Sequence, residues 1–309
     1  MPDQQDSPPL PGRRRWLALS ALGAAGLGAG MLGAPEAARA QGCAEDTLDH
    51  VKRTGVFNLG VRDSAPPYGF KDASGHYVGF ATELARAIYD AVNAELGGKI
   101  QLNLVPVTSQ TRIPLLQNGT IDMEAGATVV TQSRSKVVDF VMVHFLTSTE
   151  VLVPVDSPIK TLADMAGMRI GIPQGGLEEA RYRALNAQHA LASPVRTIGF
   201  PDHPQGFTAL QTGSIDAYSS DGPILYGLGS DATKWRILDP GINTFLQAFP
   251  IRPESSKFKS IADVTLANLY TQGAWTRLYA TYFGPKSPAP FPMTDALKTL
   301  VVMNSWPVQ

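Results

Sequence analysis

The stretch Thr108–Gly126, TSQTRIPLLQNGTIDMEAG, determines the fold, because part of it recurs about ninety residues later. Leu116–Asp122 reads LQNGTID and Leu210–Asp216 reads LQTGSID. Each heptapeptide is typical of the end of a helix, a glycine that stops it and the start of a strand. We therefore predict that the two segments occupy equivalent places in two copies of one structural unit.

The residues before each heptapeptide follow the same order of elements. The pattern before the first predicts a strand at Val56–Val61, a helix at about Phe80–Leu96 and a strand at Ile100–Val107. The pattern before the second predicts a strand at Met168–Ile172, a helix at about Leu177–Gln188 and a strand at Val195–Phe200. The chain is therefore predicted to form two α/β lobes of one design, and clefts between such lobes bind small molecules.

The N-terminus has the features of an export signal. Three arginines, Arg13 to Arg15, precede a Gly/Ala-rich apolar run, and Ala38-Arg39-Ala40 is a small-residue cleavage site. The pattern Arg13-Arg14-x-Trp16-Leu17 resembles a twin-arginine signal, and an ordinary Sec signal with a basic start fits equally. We expect cleavage near Ala40 and a periplasmic protein, with no later segment long and apolar enough to span a bilayer.

Charge, cysteine content and histidine spacing argue against nucleic-acid binding, an internal disulfide and a metal site. Without the first forty residues, which contain four basic and three acidic side chains, the chain holds 22 Lys and Arg against 24 Asp and Glu. That balance gives no electrostatic case for nucleic acid. Cys43 is the sole cysteine, so no internal disulfide forms; it is a lipid anchor or a free thiol near the mature start. The five histidines show no metal-ligand spacing.

The lobes are predicted to share two crossovers of the chain, which would act as a hinge. Apolar strands at Val151–Val155 and Phe245–Ile251 mark these crossovers, and a short helix follows Thr161. Amphipathic helices are predicted at Lys257–Gln272 and Ala274–Phe283, before a Pro-rich surface tail. The resulting domains are a signal peptide at 1–40, lobe 1 at 45–148, lobe 2 at 149–244 and a return to lobe 1 at 245–309.

Equivalent positions in the repeat predict which residues face the cleft. Ser109 and His203 lie ten residues before the glycines of the heptapeptides, and Ala127 and Asp221 lie eight residues after them. All four are predicted at the carboxyl ends of strands, where open α/β sheets bind ligands.

Charged residues are distributed unevenly around these positions. Lobe 1 offers Arg62, Arg112 and Arg134, and arginine forks match carboxylates. Lobe 2 offers Asp221, which suits an ammonium group, and Gln174-Gly175-Gly176 at a helix start, where free N–H groups hold an anion. Cations in one lobe and an anion in the other fit a zwitterion with an extra acid group.

Each of these residues has a structural alternative. Surface arginines at helix starts are usually solvated, and the helix dipole disfavours them. Asp221 before Gly222-Pro223 suits a helix cap, and so does His203 before Pro204. Tyr68 in APPYGF either belongs to the core or stacks on the ligand.

The chain resembles the periplasmic solute-binding proteins of polar amino acid ABC transporters (family 3), most closely the glutamate/aspartate-binding proteins. The resemblance spans Thr47 to about Gly284 and is carried by TSQTRIPLLQNGTIDMEAG, GVRDS, Asp202-His203 and LQTGSIDAYSSD. It implies the type II two-lobed fold, with the lobes joined by a two-strand hinge. It also implies that Arg134 binds the ligand's α-carboxylate and Asp221 its α-ammonium group. Arg62, Ser109, Arg112 and His203 would surround the remaining acidic group.

Two departures bear on the ligand. Relatives often have hydroxyl residues where this chain has Ala127 and Val129, so only backbone groups can serve there. Their hydroxyl-rich loop is replaced by Gln174-Gly175-Gly176-Leu177. The Arg134/Asp221 pair is unaffected, so an amino acid remains the expected ligand.

Three functions compete for this sequence. The first is a binding protein that delivers an amino acid, such as glutamate or aspartate, to a membrane permease, as a monomer with no cofactor or metal. The second is a periplasmic cyclohexadienyl (arogenate/prephenate) dehydratase on the same fold, which needs a general acid in the cleft. Glu178 and Glu179 are the nearby acids, and their pattern predicts ordinary helix surface. The third, a receptor's sensor lobe, would need a membrane-spanning segment.

Overall fold

Strands alternate with helices through most of the computed structural model, which describes residues 45–238 and 244–307 within the unit Cys43–Gln309. The predicted signal peptide Met1–Ala40 and Cys43 lie outside the described residues. The helices are α1 (Thr47–Thr54), α2 (Phe80–Glu95), α3 (Arg112–Gln117), α4 (Leu177–Ala187), α5 (His203–Gln211), α6 (Gly222–Leu228), α7 (Ser256–Thr271), α8 (Ala274–Phe283) and α9 (Asp295–Asn304). The strands are β1 (Val56–Val61), β2 (Ser64–Ala65), β3 (Gly69–Lys71), β4 (Tyr77–Val78), β5 (Gln101–Pro106), β6 (Met123–Ala125), β7 (Asp139–Phe140), β8 (Phe145–Pro154), β9 (Arg169–Pro173), β10 (Arg196–Phe200), β11 (Ala217–Asp221), β12 (Trp235–Leu238), β13 (Thr244–Gln247) and β14 (Pro250–Ile251).

The two main sheets share one central arrangement, which confirms the predicted two-lobed α/β fold. In lobe 1 the strand order is β5-β1-β6-β14-β7, and in lobe 2 it is β10-β9-β11-β8-β12. In lobe 1, β1 lies between β5 and β6; in lobe 2, β9 lies between β10 and β11. The three strands of each set are parallel. The strands β14, β7, β8 and β12 extend these sheets in the antiparallel sense.

The repeated heptapeptides occupy equivalent places in the two sheets. Gly119 and Gly213 stop the helices with φ of 75° and 70°, values that suit glycine because it has no Cβ. One carboxylate oxygen of Asp122 accepts the Asn58 N–H at 2.8 Å, and that of Asp216 accepts the Arg169 N–H at 2.7 Å. Asp122 therefore fixes β6 beside β1, and Asp216 fixes β11 beside β9.

The long strand β8 runs from the lobe 1 core, which contains Phe145, into the six-stranded sheet of lobe 2. Its first residues pair with β13, in the register Phe145↔Gln247 to Ser148↔Thr244, and its later residues pair with β11 and β12. The predicted crossover near Thr149 lies where this pairing changes. The strand predicted to begin at Val151 thus begins at Phe145, and the predicted Phe245–Ile251 strand is divided into β13 and β14. The domain boundaries at 148/149 and 244/245 stay predictions.

The C-terminal segment contributes to the lobe 1 core, so the prediction of a surface tail is wrong for its last part. Helix α9 begins after Thr294, whose hydroxyl accepts the Leu297 N–H at 3.2 Å, and the Leu297 side chain is fully buried. The short helix predicted after Thr161 is a 3-10 turn at Ala163–Met165, and Thr161 donates to Asp164 through its N–H and its hydroxyl. No helix in the described residues is long and apolar enough to cross a membrane.

Candidate functional site

The carboxyl ends of the parallel strands of both lobes meet at one narrow cavity. The lining residues come from both sheets: Arg62, Ser109, Arg112, Ala127, Val129, Arg134, Pro173, Gly176, Leu177, Glu178, His203, Ser220, Asp221 and Ile224. Every residue predicted to contact the ligand, apart from Tyr68, is among them. The four positions that the repeat predicts to face one cleft, Ser109, Ala127, His203 and Asp221, all line it. Their contact with a ligand stays a prediction.

Tyr68 lies in the core of lobe 1. It is fully buried, and its ring packs edge-on against Phe145 and Phe283, with centroids 5.4 Å and 5.8 Å away. Of its two interpretations the structure favours the core position, and we leave Tyr68 out of the proposed ligand contacts.

The three predicted arginines are held inside the cavity by the ends of lobe 1 elements. Arg62 follows β1, Arg112 begins α3, and both are 3% exposed. Arg134 begins a 3-10 turn, where its N–H donates to the Thr131 hydroxyl at 3.2 Å. Burial, followed by the charge of Arg112, lowers the pKa of Arg62 and of Arg134 to about 10. The side chains of Arg62 and Arg134 therefore remain cations at neutral pH.

Arg134 also bridges the lobes. Its Nη1 donates to the Val129 carbonyl of lobe 1 at 2.8 Å, and its Nη2 donates to the Gly175 carbonyl of lobe 2 at 3.2 Å. Gly175 has φ of 71°, and a Cβ there would lie 2.7 Å from Gln110 Cα and 2.9 Å from the Ser109 carbonyl. The two lobes are thus in close backbone contact at this edge of the cavity.

Asp221 is positioned by the start of α6 but does not cap it with its side chain. Instead, its Oδ2 accepts a bond from Gln247 Nε2 at 3.3 Å, a partner on β13 that the sequence did not indicate. Burial, followed by the charge of Glu178, raises the pKa of Asp221 to about 8. The geometry favours a ligand role for this carboxylate over the helix-cap alternative.

His203 does not cap its helix either. Asp202 is the N-cap of α5, and its carboxylate accepts the Gln205 N–H at 3.0 Å. The His203 ring lies in the cavity with Nδ1 3.0 Å from the Tyr218 hydroxyl. Burial, together with the charges of Arg62 and Arg112, lowers the pKa of His203 to about 3, so its imidazole is neutral at physiological pH.

The predicted anion site of free N–H groups at Gln174-Gly175-Gly176 is wrong. The Gln174 N–H donates to Phe200 O, the Gly175 N–H to Glu179 Oε1 and the Gly176 N–H to Pro173 O, at 2.9 to 3.1 Å. Gly176 therefore lines the cavity without a free donor. Its use is steric, because a Cβ there would collide with the Glu178 carboxylate.

Residues 57–285 match the family described as "Bacterial extracellular solute-binding proteins, family 3", which is most of the chain. The chain belongs to this family. A "Glutamate/aspartate import solute-binding protein" of Salmonella typhimurium is 31% identical, over 89% of this chain and 92% of the relative. A "Glutamine-binding protein" of Geobacillus stearothermophilus is 32% identical, over 63% and 71%. Similar structures include an ancestral amino acid-binding protein, a precursor of cyclohexadienyl dehydratase, with a TM-score of 0.67 at 24% identity, over 77% of this chain and all of that one.

Sequence reasoning missed two carboxylates of this solute-binding protein, one in the cavity lining and one next to it. Glu178, predicted as helix surface, is 3% exposed and lines the cavity, so that prediction is wrong. Glu124 in β6 is fully buried; its Oε2 accepts from the Thr128 hydroxyl at 2.6 Å, and its Oε1 lies 3.8 Å from Arg112 Nη1. An acid inside an otherwise apolar strand was the available signal for Glu124. For Glu178 the signal was its place just after the Gly175-Gly176 pair.

The cavity lining of this solute-binding protein contains three arginines, Arg62, Arg112 and Arg134, and two carboxylates, Glu178 and Asp221. Glu124 adds a third carboxylate next to the lining, beside Arg112. Among the described residues, no cluster of three or more His, Cys, Asp and Glu side chains is arranged to hold a metal ion.

Proposed function

We propose that this protein is exported to the periplasm, binds an acidic amino acid between its lobes and delivers it to the permease of an ABC transporter. The observation that carries the proposal is the placement of three arginines, two of them buried and Arg134 half-buried, and one buried aspartate on opposite sides of a single cavity. Lobe 1 supplies the arginines and lobe 2 supplies Asp221, so a zwitterion can satisfy both lobes at once.

In this proposal Arg134 holds the ligand's α-carboxylate and Asp221 holds its α-ammonium group, and the two side chains together form an α-group clamp. The Arg134 guanidinium already donates to two carbonyls, at Val129 and Gly175, which fixes its position for a carboxylate. Asp221 is costly to ionise in the ligand-free cavity, as its raised pKa indicates. A bound ammonium group would favour the ionised form and lower that pKa.

The proposed preference for acidic amino acids rests on the other polar side chains of the cavity. Arg62 and Arg112 lie beyond the α-group clamp, with the Ser109 hydroxyl and the neutral His203 ring beside them. Arg112 Nε and Nη1 have no hydrogen-bond partner, so a ligand carboxylate would satisfy them. The Salmonella relative named for glutamate and aspartate supports this choice, and the glutamine-binding relative makes glutamine the competitor to measure.

Calorimetry with glutamate, aspartate, glutamine, asparagine, arginine and histidine tests the ligand class. We expect the two acidic amino acids to bind more tightly than the other four. Tighter binding of glutamine or of a cationic amino acid than of both acids would refute the acidic preference.

Variants test the clamp itself. Arg134→Met and Asp221→Asn should each cost about 2–5 kcal/mol of binding free energy, or tens-fold or more in Kd, because each leaves a buried ligand charge unpaired. Asp231→Asn, at an exposed aspartate of lobe 2, is the matched control and should bind like the wild type. Unchanged affinity in both clamp variants would show that the site is misplaced.

Glu178 favours a second candidate function, a dehydratase acting on arogenate or prephenate. A buried carboxylic acid with a raised pKa can act as a general acid, and burial raises the pKa of Glu178. The test is to incubate the protein with each compound and follow the appearance of the aromatic product by absorbance. Turnover that disappears in Glu178→Gln would favour this candidate over pure binding.

A further inference from the structure

Glu178 is a charged group within the cavity that the α-group clamp does not use. It is the second residue of α4 and is 3% exposed. Gly176 at the N-cap leaves the space that its carboxylate occupies, since a Cβ at Gly176 would collide with Glu178 Oε2. The carboxylate is thus folded back over the start of α4 and lines the cavity.

Charges of both signs surround this carboxylate. Lobe 1 presents Arg134 and Arg112 to it, and its own helix presents Arg181. Strand β11 of lobe 2 presents Asp221. Two buried phenols also interact with it, Tyr182 of α4 and Tyr218 of β11.

Glu178 and Asp221 are the two carboxylates of the cavity lining, among its three arginines. With Asp221 paired to the ligand's ammonium group, an ionised Glu178 is the remaining anion of the lining beside Arg112 and Arg134. A second carboxylate on the ligand would then place two anions in one desolvated cavity, which is unfavourable. A proton on Glu178 removes that repulsion.

We propose that Glu178 sets the selectivity between acidic and neutral amino acids. When ionised, it acts as an internal anion for Arg112 and Arg134 and disfavours a second ligand carboxylate; when protonated, it leaves these arginines to the ligand. This inference rests on the proposed amino acid binding in the cavity. Burial raises the pKa of Glu178, which brings its protonation closer to neutral pH.

The ratio of the glutamine Kd to the glutamate Kd isolates this effect. Both ligands carry the same α-groups, so titration of Asp221 affects them alike and cancels in the ratio. The ratio should rise as the pH falls from 8 to 5.5, by at most about tenfold per pH unit for one linked proton. In Glu178→Gln the ratio should be independent of pH, and at pH 8 it should exceed the wild-type ratio at least about tenfold.

Glu179→Gln is the matched control. Glu179 is the next residue of α4; its carboxylate accepts the Gly175 N–H at 3.1 Å, a bond that a glutamine oxygen can also accept, and it does not line the cavity. This variant should keep the wild-type pH dependence. A flat wild-type ratio, or a pH dependence that survives in Glu178→Gln, would overturn the inference while leaving the proposed function standing. If neither ligand binds any of these proteins, the proposed function fails and the inference fails with it.

Discussion

At the scale of single residues, Arg112 is the most informative side chain of the cavity. It is 3% exposed, and its Nε and Nη1 have no hydrogen-bond partner, although Glu124 Oε1 lies 3.8 Å from Nη1. Buried donors without acceptors are unfavourable, and a ligand oxygen in the cavity would relieve them. Arg112 is therefore a cation whose hydrogen bonding is incomplete without a ligand.

Arg112→Met should narrow the affinity gap between acidic and neutral amino acids, by weakening glutamate and aspartate binding most. Removing one donor of a charge-assisted pair costs about 1.5–3 kcal/mol, or roughly tenfold to a hundredfold in Kd. Arg252→Met is the matched control, because Arg252 is also near a buried carboxylate, 3.6 Å from Asp122, with an unpartnered Nη1, but lies outside the cavity. Calorimetry should show normal selectivity in the control, and an equal loss for glutamate and glutamine in Arg112→Met would contradict the prediction.

Sequence reasoning found the cavity arginines because each follows the end of a strand or begins a helical turn, and the topology of parallel strands brings these points together. The same reasoning missed Glu178, since a glutamate in the first turn of a helix is common on exposed surfaces. Its carboxylate is buried in a cavity that residues of both lobes line, Arg134 and Asp221 among them, and such tertiary surroundings are not visible in the local sequence.

At the scale of elements, the loop before α4 determines how closely the lobes approach. Gly175 contacts the backbone of Ser109 and Gln110, whereas Gly213 of the second heptapeptide has no atom within 4 Å of its would-be Cβ. The two glycines have nearly the same positive φ, 71° and 70°. Substitutions at these two glycines should therefore separate the effect of backbone strain from the effect of contact between the lobes.

Gly175→Ala and Gly213→Ala should each lose about 1–2 kcal/mol of stability, because both residues have left-handed backbone conformations. Gly175→Ala alone should also weaken ligand binding, by about tenfold or more, since its Cβ would lie 2.7 Å from Gln110 Cα in the closed arrangement. Thermal unfolding and calorimetry measure the two effects separately. Equal binding by both variants would indicate that this contact does not limit closure.

Most predicted helices and strands match the structure to within a residue or two, because the repeat showed the same order of elements twice. The bounds predicted for β1, Val56–Val61, and for α8, Ala274–Phe283, are the bounds observed. Helix α9 was missed because the Pro-rich segment before it reads as a loop, and only tertiary contacts of Leu297 and Leu300 with the lobe 1 core show its role.

At the scale of the whole molecule, the core of lobe 1 contains a neutral histidine. His144 is fully buried, its ring centroid is 4.1 Å from that of Phe249, and neither ring nitrogen bonds to another residue. Burial lowers the pKa of His144 to about 3. Below pH 6.5 the unfolded chain therefore binds a proton that the folded chain does not, and stability is lost as the pH falls toward 3.

His144→Phe should remove this contribution. Urea unfolding between pH 7.5 and 4.5 should show that the free energy of unfolding falls less steeply with decreasing pH in the variant than in the wild type. The difference in slope should be up to about 1.4 kcal/mol per pH unit. Phenylalanine leaves no hydrogen bond of another residue unsatisfied at this position. His76→Phe, at an exposed histidine, should leave the wild-type pH dependence intact, and parallel curves for His144→Phe and wild type would refute the assignment.

The path of β8 from the lobe 1 core into the sheet of lobe 2 has a consequence for hydrogen exchange. Because β8 is bonded to β13 at one end and to β11 and β12 at the other, a hinge motion can bend it without breaking its ladder. The β8 amides should therefore exchange slowly with or without ligand. Ligand should slow exchange mainly at Ser109–Gln110 and in the loop at Gly175, where the lobes meet. A ligand-induced slowing spread evenly along β8 would instead mean that the strand itself melts when the lobes separate.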